Sequence, residues 1–175
     1  MTPTLPALDY CALWTEALPY ATFVAQAETK QAFWRGIYRQ ARLPDWALAE
    51  ARAQAPRRWL VLAEDWCHDA VSVIPVLARL ADQADGVELR ILRRDEHPEV
   101  MDEYLTGGAR AIPIVIVLDE ACNPLGSWGP RPAELQAWFE AHRHMEKAAR
   151  TLEMRKWYAR DRGHTTMQEV LAVGG

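Results

Sequence analysis

Nowhere in the 175 residues does an apolar run approach the roughly 18 residues of a membrane-spanning helix. The opening stretch, MTPTLPALDY, lacks the basic region and unbroken apolar core of a secretory leader, so the chain reads as cytoplasmic. Charge of one sign is in small excess only: the net charge is −4, and Lys and Arg are scattered rather than clustered. That leaves no electrostatic case for a nucleic-acid partner, and the missing apolar run leaves none for a membrane. Cysteine is scarce too, with only Cys11, Cys67 and Cys122. An odd, small number argues against a disulfide framework, and the cytosol would keep such thiols reduced. No pair has the close spacing of a structural zinc site, and the reading calls for no metal and no cofactor. Packing or reactivity remains for each thiol.

What is present fits an ordinary globular protein: half the residues are hydrophobic and a quarter charged, in a chain long enough for a sizeable core. ETKQAFWRGIYRQAR predicts a helix with Phe33, Ile37, Tyr38 and Ala41 on one apolar face. LPDWALAEARAQAP predicts a second, bounded by prolines. RRWLVLA (57–63) is a buried strand, followed by the helix CHDAVSVIPVLARLADQA, which continues past Pro75. VELRILRR (87–94) is a strand, HPEVMDEYL a short helix and IPIVIVLD (112–119) a buried strand. A turn at EACNP leads to a return strand, LGSW, and then to one helix through RPAELQAWFEAHRHMEKAAR. A last helix begins near HTTMQEVLAV, where Thr166 and Glu169 have capping-box spacing. The βαβ unit puts its two strands parallel, the later hairpin is antiparallel, and the sum is a mixed α/β sheet flanked by helices.

WC at a strand-to-helix junction, IP opening the third strand and a glycine after the hairpin make the chain resemble the thioredoxin superfamily. The longer pattern EDWCHDA, ELRILRRDE, MDEYLTGGARAIPIVIVLD, GSWGPRP and WYARDRG is similar to a bacterial thioredoxin-like family with an EDWCGDA-type motif. The resemblance implies one thioredoxin-like domain over 1–175, with a helical extension over 1–56, a core over 57–149 and a C-terminal helical extension over 150–175. It also implies that Pro113 is the cis-proline, and that the Ile112 backbone pairs with an extended substrate chain. Two departures matter. Ala70 stands where a dithiol thioredoxin has its second cysteine, and Val61 stands where it has a buried carboxylate. Cycling between a Cys67–residue 70 disulfide and a dithiol is therefore impossible.

Strand three advances about 20 Å from Pro113 to Asp119, so Cys122 lies beyond disulfide reach of Cys67. Cys11 lies in the N-terminal helices and reads as a packed small residue. Parallel strand ends bring Arg93, Arg94 and Asp95 to Glu64, Asp65, Trp66 and Cys67, and the hairpin delivers Ile112, Pro113, Trp128, Gly129, Pro130 and Arg131 to the same rim. A helix N-terminus, Arg131 and a protonated His68 lower a thiol's pKa, while Asp69, Asp65 and Glu64 raise it. Asp69 is also a candidate helix cap.

Two functions follow. In the first, a monothiol oxidoreductase, Cys67 attacks a protein or low-molecular-weight disulfide and an external thiol resolves the product. His68 and Asp69 tune the thiol; Trp66, Ile112, Pro113, Trp128 and Arg131 bind substrate, with Arg131 suited to an anionic group. In the alternative, the chain is a redox-inactive peptide-binding or adaptor module. For Trp66 and Trp128, packing competes with ligand binding; for Cys67, an inert buried thiol competes with a nucleophile.

Overall fold

The computed structural model describes residues 7–175, so most of the stretch on which the leader reading rests lies outside the described residues. Five elements precede the predicted core: α1 (Tyr10–Glu16), β1 (Leu18–Pro19), α2 (Tyr20–Ala25), α3 (Gln31–Gln40) and α4 (Asp45–Gln54). The core then runs β2 (Arg57–Ala63), α5 (His68–Gln83), β3 (Val87–Arg93), α6 (Pro98–Met101), β4 (Ile114–Leu118) and β5 (Pro124–Trp128). Three helices close the chain: α7 (Ala133–Ala141), α8 (Lys147–Asp161) and α9 (His164–Ala172). Among the described residues no helix is long and apolar enough to cross a membrane.

The sheet order is β1-β3-β2-β4-β5, with β2 and β3 parallel and every other pair antiparallel. Strand β2 is central and buried from Trp59 to Ala63, which explains its unbroken apolar run. Its register sets the site. Ala63 pairs with Arg93, Leu62 with Ile114, and Val115 with Trp128. The carboxyl ends of β2, β3 and β5 and the start of β4 therefore share one edge of the sheet, as the topology predicted.

Several local expectations are corrected. The N-terminal extension is not purely helical, because β1 adds an antiparallel edge strand to β3. In α3 the fully buried residue is Trp34, while Phe33 is 61% exposed. Trp34, Ile37, Tyr38 and Ala41 follow i, i+3, i+4, i+7, a better helical stripe than one starting at Phe33. The single helix expected after Pro130 is two helices. It breaks after Ala141, and the Glu146 carboxylate then caps α8 by accepting from the N–H groups of Ala148 and Ala149, each at 2.9 Å. Thr166 does not cap α9: it lies fully buried within the helix, and the turn before it is made by Arg162 and Gly163, both left-handed. A Cβ on Gly163 would press against Val76 of α5, so the glycine sets how closely this turn sits on α5.

Cys11 and Cys122 form a disulfide, with Cα atoms 5.3 Å apart and a sequence separation of 111. This overturns the reading of Cys11 as a packed thiol and of all three cysteines as reduced. The bond ties α1 to the turn between β4 and β5, at the end of the sheet opposite Cys67.

Candidate functional site

Strand β2 ends at Ala63, and the next four residues turn the chain into α5. Cys67 is the N-cap of that helix: its sulfur accepts the Ala70 N–H at 3.4 Å, and its thiol donates to the Ile112 carbonyl at 3.5 Å. The residue is 8% exposed. Burial first, and the Asp69 carboxylate second, push its pKa up to about 11 against the pull of the Ala70 and Asp69 N–H groups and Arg131. At neutral pH Cys67 is a thiol.

Asp69 does not cap the helix. Its buried carboxylate accepts from the Tyr158 hydroxyl at 2.6 Å and from Arg131 at 3.0 and 3.1 Å. Arg131 also donates to Gln136 Oε1 at 2.8 Å and lies over the Phe139 ring, 3.9 Å from its centroid. Burial and the adjacent Asp69 charge raise the Tyr158 pKa well above the ordinary phenol value, so the hydroxyl stays a donor.

His68 faces outward. Its Nδ1 lies 2.8 Å from Arg155 Nη2, and a guanidinium can only donate, so Nδ1 is the acceptor and a neutral ring carries its proton on Nε2. Burial, then Lys30 and Arg155, lower its pKa, so His68 is neutral at pH 7 and supplies no charge to hold a thiolate. Glu64 and Asp65 are also turned from the sulfur. Glu64 accepts the Asp95 N–H at 3.0 Å; Asp65 accepts from the N–H groups of Glu28 at 2.7 Å and Thr29 at 3.3 Å. The Asp65 carbonyl takes the Trp34 indole N–H at 3.0 Å, which fastens the N-terminal extension to the site loop. These two carboxylates, expected to load Cys67, hold backbone instead.

Trp66 is 44% exposed under the Arg94 guanidinium, 5.0 Å from the ring centroid. Ile112 is buried, and its bond to Pro113 is cis. Trp128 is buried behind the rim, its indole N–H donating to Glu169 at 2.7 Å. A cavity of about 470 Å³ opens over Cys67. Of the predicted site residues, Trp66, Cys67, His68, Asp69, Ile112 and Arg131 line it; Pro113 and Trp128 do not. The far wall is α8, which contributes Lys147, Arg150, Thr151, Met154, Arg155 and Tyr158. These positions fall at i, i+3, i+4, i+7, i+8 and i+11, one helical face, and sequence reasoning missed them.

A thioredoxin family model matches residues 17–150. The chain belongs to the thioredoxin family. No curated protein matches it. Among solved structures it is similar to a protein of unknown function from Pseudomonas aeruginosa, with a TM-score of 0.76, 23% identity and coverage of 95% of this chain and 97% of that one. It is also similar to an HIV epitope scaffold, with a TM-score of 0.75, 25% identity and the same coverage.

Within this thioredoxin-family chain, Cys67 is the one free cysteine among the described residues, since the other two are bonded to each other. No second thiol is present to close an intramolecular disulfide on it. The cavity offers a neutral thiol, a phenol donor, an ion pair and several cations. It can grip a ligand by charge and hydrogen bonds, with the exposed Trp66 ring at its mouth.

Proposed function

We propose that this thioredoxin-family chain is a binding protein, which seats a ligand in the cavity over Cys67 and beside Ile112, and that Cys67 serves there as a neutral contact. The observation that carries the reading is the thiol's surroundings. Burial and Asp69 hold its pKa at about 11, so the thiolate fraction at neutral pH is on the order of one in ten thousand. His68 is occupied by Arg155, and the Asp69 carboxylate by Arg131 and Tyr158, so neither is a ready base for the thiol.

A second reading, monothiol exchange, is favoured by one specific feature: the Cys67 sulfur caps α5 against the Ala70 N–H and lines the open cavity. In that cycle the Cys67 thiolate bonds to one sulfur of a disulfide and expels the other as thiolate. An external thiolate then attacks the mixed disulfide and releases Cys67.

The pH dependence of alkylation by iodoacetamide separates the two. With the Cys11–Cys122 disulfide intact, Cys67 is the only thiol available in the wild-type chain. A midpoint above about pH 10 supports binding, whereas one below the free-thiol value of about 8.5 transfers the function to exchange.

A further inference from the structure

Scattered in sequence, the cations are gathered by the fold. In a chain of net charge −4, six of its 20 Lys and Arg residues line the cavity over Cys67, and Asp69 is the only carboxylate among the lining residues. Three of the six are already neutralised: Arg131 by Asp69 at 3.0 Å, Arg94 by Asp95 at 3.0 Å and Arg110 by Asp102 at 2.8 Å. The other three, Lys147, Arg150 and Arg155, have no carboxylate within ion-pairing distance among the described residues. Arg150 donates to the Arg143 carbonyl at 2.9 Å, and Arg155 donates to His68 at 2.8 Å. Neither contact cancels a charge.

All three lie on the face of α8 that walls the cavity, at i, i+3 and i+8. Like charges stacked on one helix face repel, and the Glu146 carboxylate next to them is already engaged as the α8 cap by the Ala148 and Ala149 N–H groups. An anion in the cavity relieves that repulsion. The space of about 470 Å³ matches a small molecule or a few residues of peptide.

From this arrangement we infer that the ligand is a compact polyanion, carrying two or three carboxylate or phosphate groups against Lys147, Arg150 and Arg155 while its remainder covers Cys67. The inference rests on the binding reading above and names the chemistry of its ligand. Arginine suits both anions because its fork donates two parallel hydrogen bonds to either.

The test is protection of Cys67 from iodoacetamide near pH 9 at low salt, followed by intact mass. The probes are tri-glutamate, its neutral counterpart tri-glutamine, and inorganic pyrophosphate. Tri-glutamate or pyrophosphate slows alkylation and tri-glutamine does not; which of the two acts at lower concentration tells a carboxylate ligand from a phosphate one. In the triple variant Lys147→Ala, Arg150→Ala, Arg155→Ala the half-protecting concentration rises by roughly tenfold or more, and added salt does the same to wild type. Those substitutions favour the helix, and a circular-dichroism melt checks that α8 is intact. Equal protection by tri-glutamine, no protection by either anion, or a triple variant that binds as wild type does each overturn the polyanion. The probe-free rates across pH give the Cys67 midpoint separately, so failure of the binding reading shows as a low midpoint whatever the probes do.

Discussion

The Tyr158 hydroxyl and the Asp69 carboxylate meet at 2.6 Å across 89 residues of sequence. This one hydrogen bond joins α8 to the first turn of α5, and so joins the cationic wall of the cavity to its thiol floor. Arg131, arriving from the end of β5, completes the group on the same carboxylate. Two separate pieces of chain are fixed relative to Cys67 by a single side chain that sequence reading assigned to tuning the thiol.

Replacing Tyr158→Phe removes that bond and keeps the ring. Asp69 retains Arg131, so the expected cost is about 1–2 kcal/mol in urea denaturation. Tyr158→Ala should cost more, because a buried aromatic is lost as well. If Tyr158→Phe matches wild type, the hydroxyl is not what holds α8 to the site.

Asp69→Asn tests the charge itself. The Asp69 carboxylate is the second cause, after burial, of the raised Cys67 pKa, and removing its charge lets that value fall toward the ordinary thiol range. The alkylation midpoint therefore moves down, and the rate at pH 8 rises above wild type. Stability drops at the same time, by about 3 kcal/mol, because Arg131 is left without its carboxylate in a site where both side chains are 12% exposed. An unchanged midpoint would show that burial alone sets the thiol.

Much of the site was legible because a parallel βαβ unit fixes where strand ends go. Knowing the order of β2, β3, β4 and β5 is enough to bring Arg94, Cys67, Ile112 and Arg131 together. The α8 wall was not legible, since its helix had been merged with α7. HRHME contains no Pro or Gly to mark the break, and the cap comes from Glu146, a residue more often read as helix interior. Once the two are joined, the placement of Lys147, Arg150 and Arg155 against Cys67 disappears. The cation cluster was invisible for a related reason: it is assembled by tertiary contact from α8 and from segments around Arg94, Arg110 and Arg131. Trp128 shows the opposite error. The register does bring it to the rim, but its indole is used by Glu169, which also accepts the Ala133 N–H and so braces the start of α7.

The Cys11–Cys122 disulfide was missed on compartment grounds, and its effect is measurable. It closes a long loop, 111 residues in sequence separation, so by chain entropy it stabilises the fold by about 2–5 kcal/mol. Denaturation with and without dithiothreitol should differ by that amount, and a Cys11→Ser, Cys122→Ser variant should behave like the reduced protein under both conditions. A wild type indifferent to reductant would mean that α1 is held by its packing alone, through Leu13 and Trp14 in the core and the Arg58 and Arg90 guanidinium groups over the Trp14 ring.

Cys67 should also leave a mark on stability at alkaline pH. Its pKa is raised to about 11 in the folded state and returns to about 8.5 on unfolding. The unfolded chain therefore releases this proton first, and above about pH 8.5 the released proton favours unfolding. The stability linked to the neutral thiol is complete below that pH and is lost progressively as pH rises through the folded value, to a total of about 3 kcal/mol. Tyr20, Tyr38, Tyr104 and Tyr158 have raised pKa values as well, so wild type alone does not isolate the thiol. Cys67→Ser keeps the four phenols and removes the thiol. The difference in unfolding free energy between wild type and this variant, followed by urea denaturation from neutral pH to about pH 11, should shift steadily against wild type above pH 8.5. A difference that stays flat would mean that Cys67 ionises alike in both states, and the neutral-contact role assigned to it would fall.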